Sequence, residues 1–239
     1  KADNTVSCWG NNSAGQTSVP FNLQSVAAGT VEWTRQLGTA GIDWGTSIAS
    51  DILGNVFVTG VSQNGGLDGN TSAGLNDIIL VKHDSDGVKQ WARQIGTSAY
   101  EEGYGIAADS VGNIYVSGRT SGGLDGTNLG NYDAIVMKYD NAGNQLWVQQ
   151  FWTSAWEESH GIAIDSSGNV YVAGHTKGGL EGNINAGRED VFLVKYNSSG
   201  LKQWTQQLGT YTHDYMSSIT TDSNGNIYVT GSTGGGLDG

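Results

Sequence analysis

"GIAIDSSGNVYVAGHTKGGLEGNINAGREDVFLVKYNSSGLKQWTQQLGT", residues 161–210, carries the reading that decides the fold. Its apolar runs, such as "VYV" (170–172) and "VFLV" (191–194), are short and rich in β-branched and aromatic residues. Gly, Asn, Asp and Ser bound them, which marks strand ends. No part of the stretch holds a helical period. A strand with one wet face alternates apolar and polar residues. These runs are nearly continuous, so both faces of the sheet are expected to be buried.

The stretch is one copy of a repeat. Trp33, Trp91, Trp147 and Trp204 are separated by 58, 56 and 57 residues, and the Gly-Asn pairs at 54–55, 112–113, 168–169 and 225–226 keep step. The pentapeptide GGLDG stands at 65–69, 122–126 and 235–239, and GGLEG stands at 178–182. A fixed period of this length marks a repeat architecture. Four strands read out of each unit, most cleanly at "GIAAD" (105–109), "NIYVSG" (113–118), "DAIVMKYD" (133–140) and "NQLWVQQ" (144–150). "DSVGN", "DSSGN", "DSNGN" and "YDNAGN" read as hairpin turns. Their acids Asp109, Asp165, Asp222 and Asp140 bond the turn backbone, and the glycine takes the left-handed position. Four-stranded sheets buried on both faces and repeated in series predict an all-β fold, a β-propeller with blades of about 57 residues.

The repeat resembles the SBBP-type β-propeller repeat of bacterial and archaeal surface proteins, over roughly residues 31–239. The resemblance implies a propeller, a secreted or cell-surface setting, and a long multidomain parent; it implies no single activity. Residues 1–30 are set apart as an N-terminal segment. There, "CWGNNSAGQTSVP" (8–20) resembles one partial copy of the regulator-of-chromosome-condensation repeat, whose chromatin role does not carry over to so acidic a chain. "FNLQSVAAG" (21–29) reads as a degenerate third strand, followed by a fourth strand at 31–37. Pairing these with the C-terminal first and second strands would close a four-blade ring. The alternative is part of a larger ring.

Composition narrows the partners. The chain of 239 residues has 38 Gly, one Pro, eight Trp and a net charge of −12. Such a surface repels phosphate backbones and anionic lipid, so neither nucleic acid nor membrane insertion is expected. Cations are favoured. Cys8 is the lone cysteine of the sequence, which precludes an intrachain disulfide.

Strand alternation puts the tight turns on one face and the second-to-third and fourth-to-first connections on the other. The second-to-third connection runs about fourteen residues, a length that points to function. Trp44, Tyr100, Trp156 and Tyr215 fall in the fourth-to-first connections beside Asp43, Glu101, Glu157 and Asp214. Two readings stand for these rings: sugar stacking, or packing between blades. Acids also recur as Asp68, Asp125 and Glu181, each followed eight or nine residues on by Asp77, Asp133 and Asp190. Either they hold calcium, which takes roughly six to eight oxygens, or they cap turns. The third unit departs from the rest with Trp152, His160 and His175. No HExxH, GxSxG or nucleotide loop is present. The expectation is therefore a non-enzymatic binding or structural module. Its partner is a glycan, a protein or a second copy in a homo-oligomer, with calcium as the one cofactor considered. The alternative is a hydrolase or lyase acting on polysaccharide, centred on His160 and His175.

Overall fold

The computed structural model describes the backbone of residues 5–9, 21–27, 30–126 and 128–236, and the side chains of residues 31–126 and 128–236. Three four-stranded antiparallel blades form its centre. The first is β4 (Ile42–Ser50), β5 (Val56–Gln63), β6 (Asn76–His83) and β7 (Lys89–Ile95). The second is β8 (Glu101–Ala108), β9 (Ile114–Thr120), β10 (Asp133–Tyr139) and β11 (Gln145–Phe151). The third is β12 (Glu157–Ile164), β13 (Val170–Thr176), β14 (Asp190–Tyr196) and β15 (Lys202–Leu208). On one side lies a three-stranded sheet of β1 (Thr5–Trp9), β2 (Phe21–Ala27) and β3 (Thr30–Leu37). On the other is the pair β16 (Asp214–Thr221) and β17 (Ile227–Thr233).

The continuous apolar runs explain the stacking. Successive strand residues point to opposite faces. Phe57, Ile78 and Leu80 leave the first blade on one side and pack on Ile114, Val116, Ile135 and Met137 of the second. Val56, Val58, Ile79 and Val81 leave it on the other and pack with Trp33 of β3. The second blade repeats this, sending Tyr115, Ala134 and Val136 against Val170, Val172 and Phe192 of the third. The first strands β4, β8, β12 and β16 lie against one another in sequence and form the inner wall.

A latch at the outer strand joins the blades. The indole N–H groups of Trp33, Trp91 and Trp147 donate to Ser85, Asn141 and Ser198 carbonyls in the third-to-fourth turn of the next blade, at 3.1, 3.1 and 3.4 Å. Each indole covers the turn glycine. A Cβ on Gly87, Gly143 or Gly200 would stand 2.5, 3.0 or 2.8 Å from the ring. Those glycines also hold φ of +73°, +79° and +82°. The hairpin acids act as expected: Asp165 Oδ1 accepts from the amides of Ser167 and Asn169, both at 2.9 Å.

The structure bears on the ring closure, open between two readings of the sequence, and corrects one expectation. The strands expected at 21–29 and 31–37 are present as β2 and β3, but they do not pair with β16 and β17. The unforeseen strand β1 occupies the edge of β2 that closure would need, and among the described residues β16 and β17 pair only with each other. Most of the regulator-like stretch, residues 10–20, lies outside the described residues. The fourth-to-first connections are also shorter than expected. They run only over 38–41, 96–100, 152–156 and 209–213, so Trp44, Glu101, Glu157, His160, Asp214 and Tyr215 stand on strands. The strands begin early at Glu101, Glu157 and Asp214 because these carboxylates bond to the turn before them within the fold.

Two predictions test this packing. Gly143→Ala is expected to destabilise the chain by about 1–2 kcal/mol, through the left-handed backbone and the Trp91 contact. Gly225 holds φ +83° with open space around it, so Gly225→Ala should cost less in the same denaturant titration. The second concerns His83, which is 2% exposed and stacks on Trp33 at 6.1 Å. Burial first, then the Arg35 and Lys89 charges, lower its pKa to about 4, against a smaller opposing pull from Asp84. The unfolded chain takes up this proton near pH 6.5 and the fold does so only near 4. Stability should therefore fall as pH drops between those values, by about 3 kcal/mol in all. In His83→Phe, which keeps a ring against Trp33, that slope should disappear from pH-dependent unfolding curves.

Candidate functional site

Hairpin register builds the site. In each inner strand the ladder slips by one residue, leaving Thr46, Tyr104, His160 and Ser217 as bulged positions. A bulge re-aims its side chain. Two residues earlier, Trp44 faces Val61, Glu102 faces Arg119, Glu158 faces His175 and Tyr215 faces Ser232 across the same hairpins. Every inner hairpin thus presents three side chains at one end of the inner wall: Trp44, Thr46 and Val61; Glu102, Tyr104 and Arg119; Glu158, His160 and His175; Tyr215, Ser217 and Ser232.

In the second and third blades these sets are charged and joined. Asn76 Nδ2 donates to Glu102 Oε1 at 2.9 Å. Arg119 donates to Glu102 Oε2 through Nη2 at 2.7 Å, and to Glu158 Oε2 through Nη1 at 2.7 Å. The Tyr104 hydroxyl donates to Glu102. Glu158 Oε1 stands 3.3 Å from His160 Nε2 and 2.9 Å from His175 Nε2. The imidazoles stack at 5.0 Å, with Tyr104 parallel on the far side of His160 at 4.8 Å and Tyr215 edge-on to His175 at 5.0 Å. Beyond Tyr215, His213 pairs with Glu189, and Lys177 reaches Glu189 at 3.4 Å.

The electrostatics follow from burial and partners. Burial opposes ionisation of Glu158, but the adjacent His160 and His175 and the charge of Arg119 hold its carboxyl well below the usual carboxylate range. Burial likewise opposes ionisation of Glu189, and His213 and Lys177 lower it. For Tyr104, burial and then the bond to Glu102 push the phenol upward.

The residues expected from sequence divide. Glu101, Glu157 and Asp214 are buried and clamp the fourth-to-first turn. Glu157 Oε2 accepts the Thr153 amide at 2.6 Å, and its Oε1 accepts the Thr153 and Thr176 hydroxyls at 2.6 and 2.8 Å. Glu101 does the same with Thr97 and Thr120, and Asp214 with Thr210. Both oxygens of Glu101 and Glu157 are used inside the fold, which corrects their reading as ligand contacts; Asp214 uses Oδ2 in this way and keeps a buried Oδ1 without a donor. Trp156 is held between Arg119 and Lys177, 5.5 and 4.4 Å from its ring, so it packs as well as lines the site. Trp44 is half-buried, whereas Tyr100 and Tyr215 are both 38% exposed.

The six acids considered for calcium also separate. Asp68 pairs with Lys89, Glu181 with Lys202, and Asp125 accepts the Gln150 amide at 2.8 Å. Asp77, Asp133 and Asp190 accept from Gln94, Gln150 and Gln207 at 2.7, 2.6 and 2.9 Å, and each keeps a buried Oδ1 without a donor. None of these six falls in a group of three acid, His or Cys ligands; among the described residues that arrangement is found at Glu158, His160 and His175. Glu102, Glu158, Glu189 and His213 were missed from sequence. The signal was there: Glu101-Glu102 and Glu157-Glu158 are neighbours on a strand, so one of each pair must face the inner wall.

With the geometry in place, comparison with known proteins adds the following. A family model described as a beta-propeller repeat (SBBP) matches residues 32–68, 90–125, 158–181 and 203–238. The regulatory protein FlaEY of Caulobacter vibrioides is 29% identical over 220 residues, covering 85% of this chain and 22% of that protein. An uncharacterized WD repeat-containing protein, L264, of Acanthamoeba polyphaga mimivirus is 27% identical over 203 residues, covering 66% of this chain and 15% of that one. The chain spans less than a quarter of the length of these relatives. Among solved structures, a protein of unknown function from Bacteroides caccae aligns over 93% of this chain and 63% of its own, at 12% identity and a TM-score of 0.48. The periplasmic gluconolactonase of Pseudomonas aeruginosa aligns over 94% and 75%, at 9% identity and a TM-score of 0.41.

Removing the Glu157 carboxylate by Glu157→Ala should strip three donors of their acceptor. The expected loss is about 2–4 kcal/mol of stability, read by denaturant unfolding. Glu181→Ala, at an exposed ion pair, should change stability by less than about 1 kcal/mol.

Proposed function

Because the chain belongs to the SBBP beta-propeller repeat family, we propose that it is a non-enzymatic extracellular or cell-surface module that binds glycan at the end of its inner wall. One observation carries this reading. The exposed phenol ring of Tyr215 lies against His175 and His213, beside a fixed belt of hydrogen-bonding charges, Glu102, Arg119, Glu158 and Glu189, and a second exposed ring, Tyr100, stands two residues before Glu102. Sugars present apolar faces to rings and hydroxyls to such groups, the combination a binding site for them needs. The belt is pre-formed, so little ordering opposes binding.

Titration against a polysaccharide panel tests the proposal. Tyr100→Ala and Tyr215→Ala should each weaken glycan binding by about tenfold or more while circular dichroism is unchanged. Silence of the native chain across the panel, with and without calcium, removes the glycan reading. Two other readings have their own observations. The acid held between two histidines favours a polysaccharide hydrolase or lyase; product formation that disappears in His160→Ala would establish it. Self-association is favoured by an apolar groove of about 330 Å³ lined by Val191, Phe192, Leu208 and Val229. Sedimentation at rising concentration reads it directly.

A further inference from the structure

Independently of what the inner wall binds, we propose that Glu158, His160 and His175 form a site for one divalent first-row transition-metal ion. Each of the three residues offers one ligand atom, and these atoms lie within 4.8 Å of one another. The carboxylate oxygen lies 3.3 and 2.9 Å from the two nitrogens. A tetrahedral ion with bonds of about 2.0–2.1 Å needs its donors about 3.3 Å apart. The two carboxylate-to-nitrogen spacings are near those of a coordination shell, and a tilt of the stacked rings, which lie 14° from parallel at 5.0 Å, would bring both nitrogens onto one ion.

Two further observations point to an ion. His160 Nε2 is buried, and its one near polar atom, Glu158 Oε1 at 3.3 Å, is not in hydrogen-bond geometry with it. A metal would satisfy that orphan lone pair, whose burial otherwise costs free energy. The second is the support around the ligands. Arg119 binds Glu158 Oε2 and leaves Oε1 for the site. Arg119 is in turn neutralised by Glu102 and lies 4.2 Å over the Tyr132 ring. Tyr104 on one side and Tyr215 on the other hold the two imidazoles in place. Outer contacts of this kind fix ligand orientation in metal sites.

The donor set selects the ion. Two imidazoles and one carboxylate suit zinc, cobalt and similar ions; calcium and magnesium prefer all-oxygen shells. Three protein ligands leave a position for water or an incoming ligand. The repeat explains why, among the described residues, one blade alone has the site. The equivalent triplets are Trp44, Thr46 and Val61, Glu102, Tyr104 and Arg119, and Tyr215, Ser217 and Ser232. None of these offers three donors of this kind.

The test uses the whole chain, stripped with chelator and titrated with zinc by calorimetry, with bound metal counted by elemental analysis. One equivalent is expected. His160→Ala and His175→Ala should each weaken zinc by at least about tenfold, since even outer-shell losses have that effect. His213→Ala should leave zinc affinity within about twofold. Cobalt bound to the unmodified chain should give the intense visible absorption of a four-coordinate site with nitrogen ligands. That spectrum reads the ligand set even where a variant fails to fold. Excess calcium or magnesium should not displace the ion. Absence of saturable zinc uptake by the native chain would overturn the proposal. So would uptake unchanged in a folded His160→Ala/His175→Ala chain, or a cobalt spectrum of an all-oxygen octahedral site.

Discussion

The contact on which the stack depends is an indole lying over a glycine. Trp33, Trp91 and Trp147 each project from the outer strand of one sheet onto the turn of the next, and each donates its N–H to a turn carbonyl. The ring requires bare backbone beneath it, and the tight turn requires positive φ. Glycine alone meets both demands without strain. Arg35 and Arg93 reinforce the seam by donating to the carbonyls of Gly87 and Gly143 at 2.6 and 2.9 Å. This latch fixes the spacing between blades at the rim, and the two-faced apolar strands fill the space behind it.

A rim fixed in this way leaves the inner wall free to vary. The inner strands carry little of the apolar core; their ends are held by acid-to-turn clamps at Asp43, Glu101, Glu157 and Asp214. Next to each clamp, the bulge and the residue two before it point to the axis. These positions lie away from the tryptophan latch at the rim. One scaffold can therefore carry Trp and Thr in one blade, an Arg-Glu-Tyr set in the next, and two histidines about a glutamate in the third. The charge network crossing the blades at Arg119 joins neighbouring inner hairpins into one surface.

Much of this was legible from sequence, and particular residues show why. Period and turn chemistry revealed the repeat, because Gly at left-handed turns and Asp at hairpin starts have few substitutes. Continuous "VFLV"-type runs revealed two-sided burial. The acids exposed the limit. Glu157 and Glu158 are adjacent and chemically alike, yet one is consumed by Thr153 and Thr176 while the other faces Arg119, His160 and His175. Choosing between them needs the register of the hairpin, and the bulge at His160 shifts that register by one. A one-residue slip sends every side chain to the other face.

The sequence by itself determined the all-β class, the four-stranded unit, its turns and the expectation of sheets buried on both faces. These rest on local backbone preference and on periodicity, which act within a few residues of chain. Tertiary structure alone decided where the first strand of each unit begins and which neighbour each indole covers. It also decided that β1 occupies the edge a four-blade closure would have used. It alone brought Glu158, His160 and His175 together, because their meeting depends on a bulge, a hairpin register and support from the neighbouring blade. Those are distances across the fold, and no local rule of the chain specifies them.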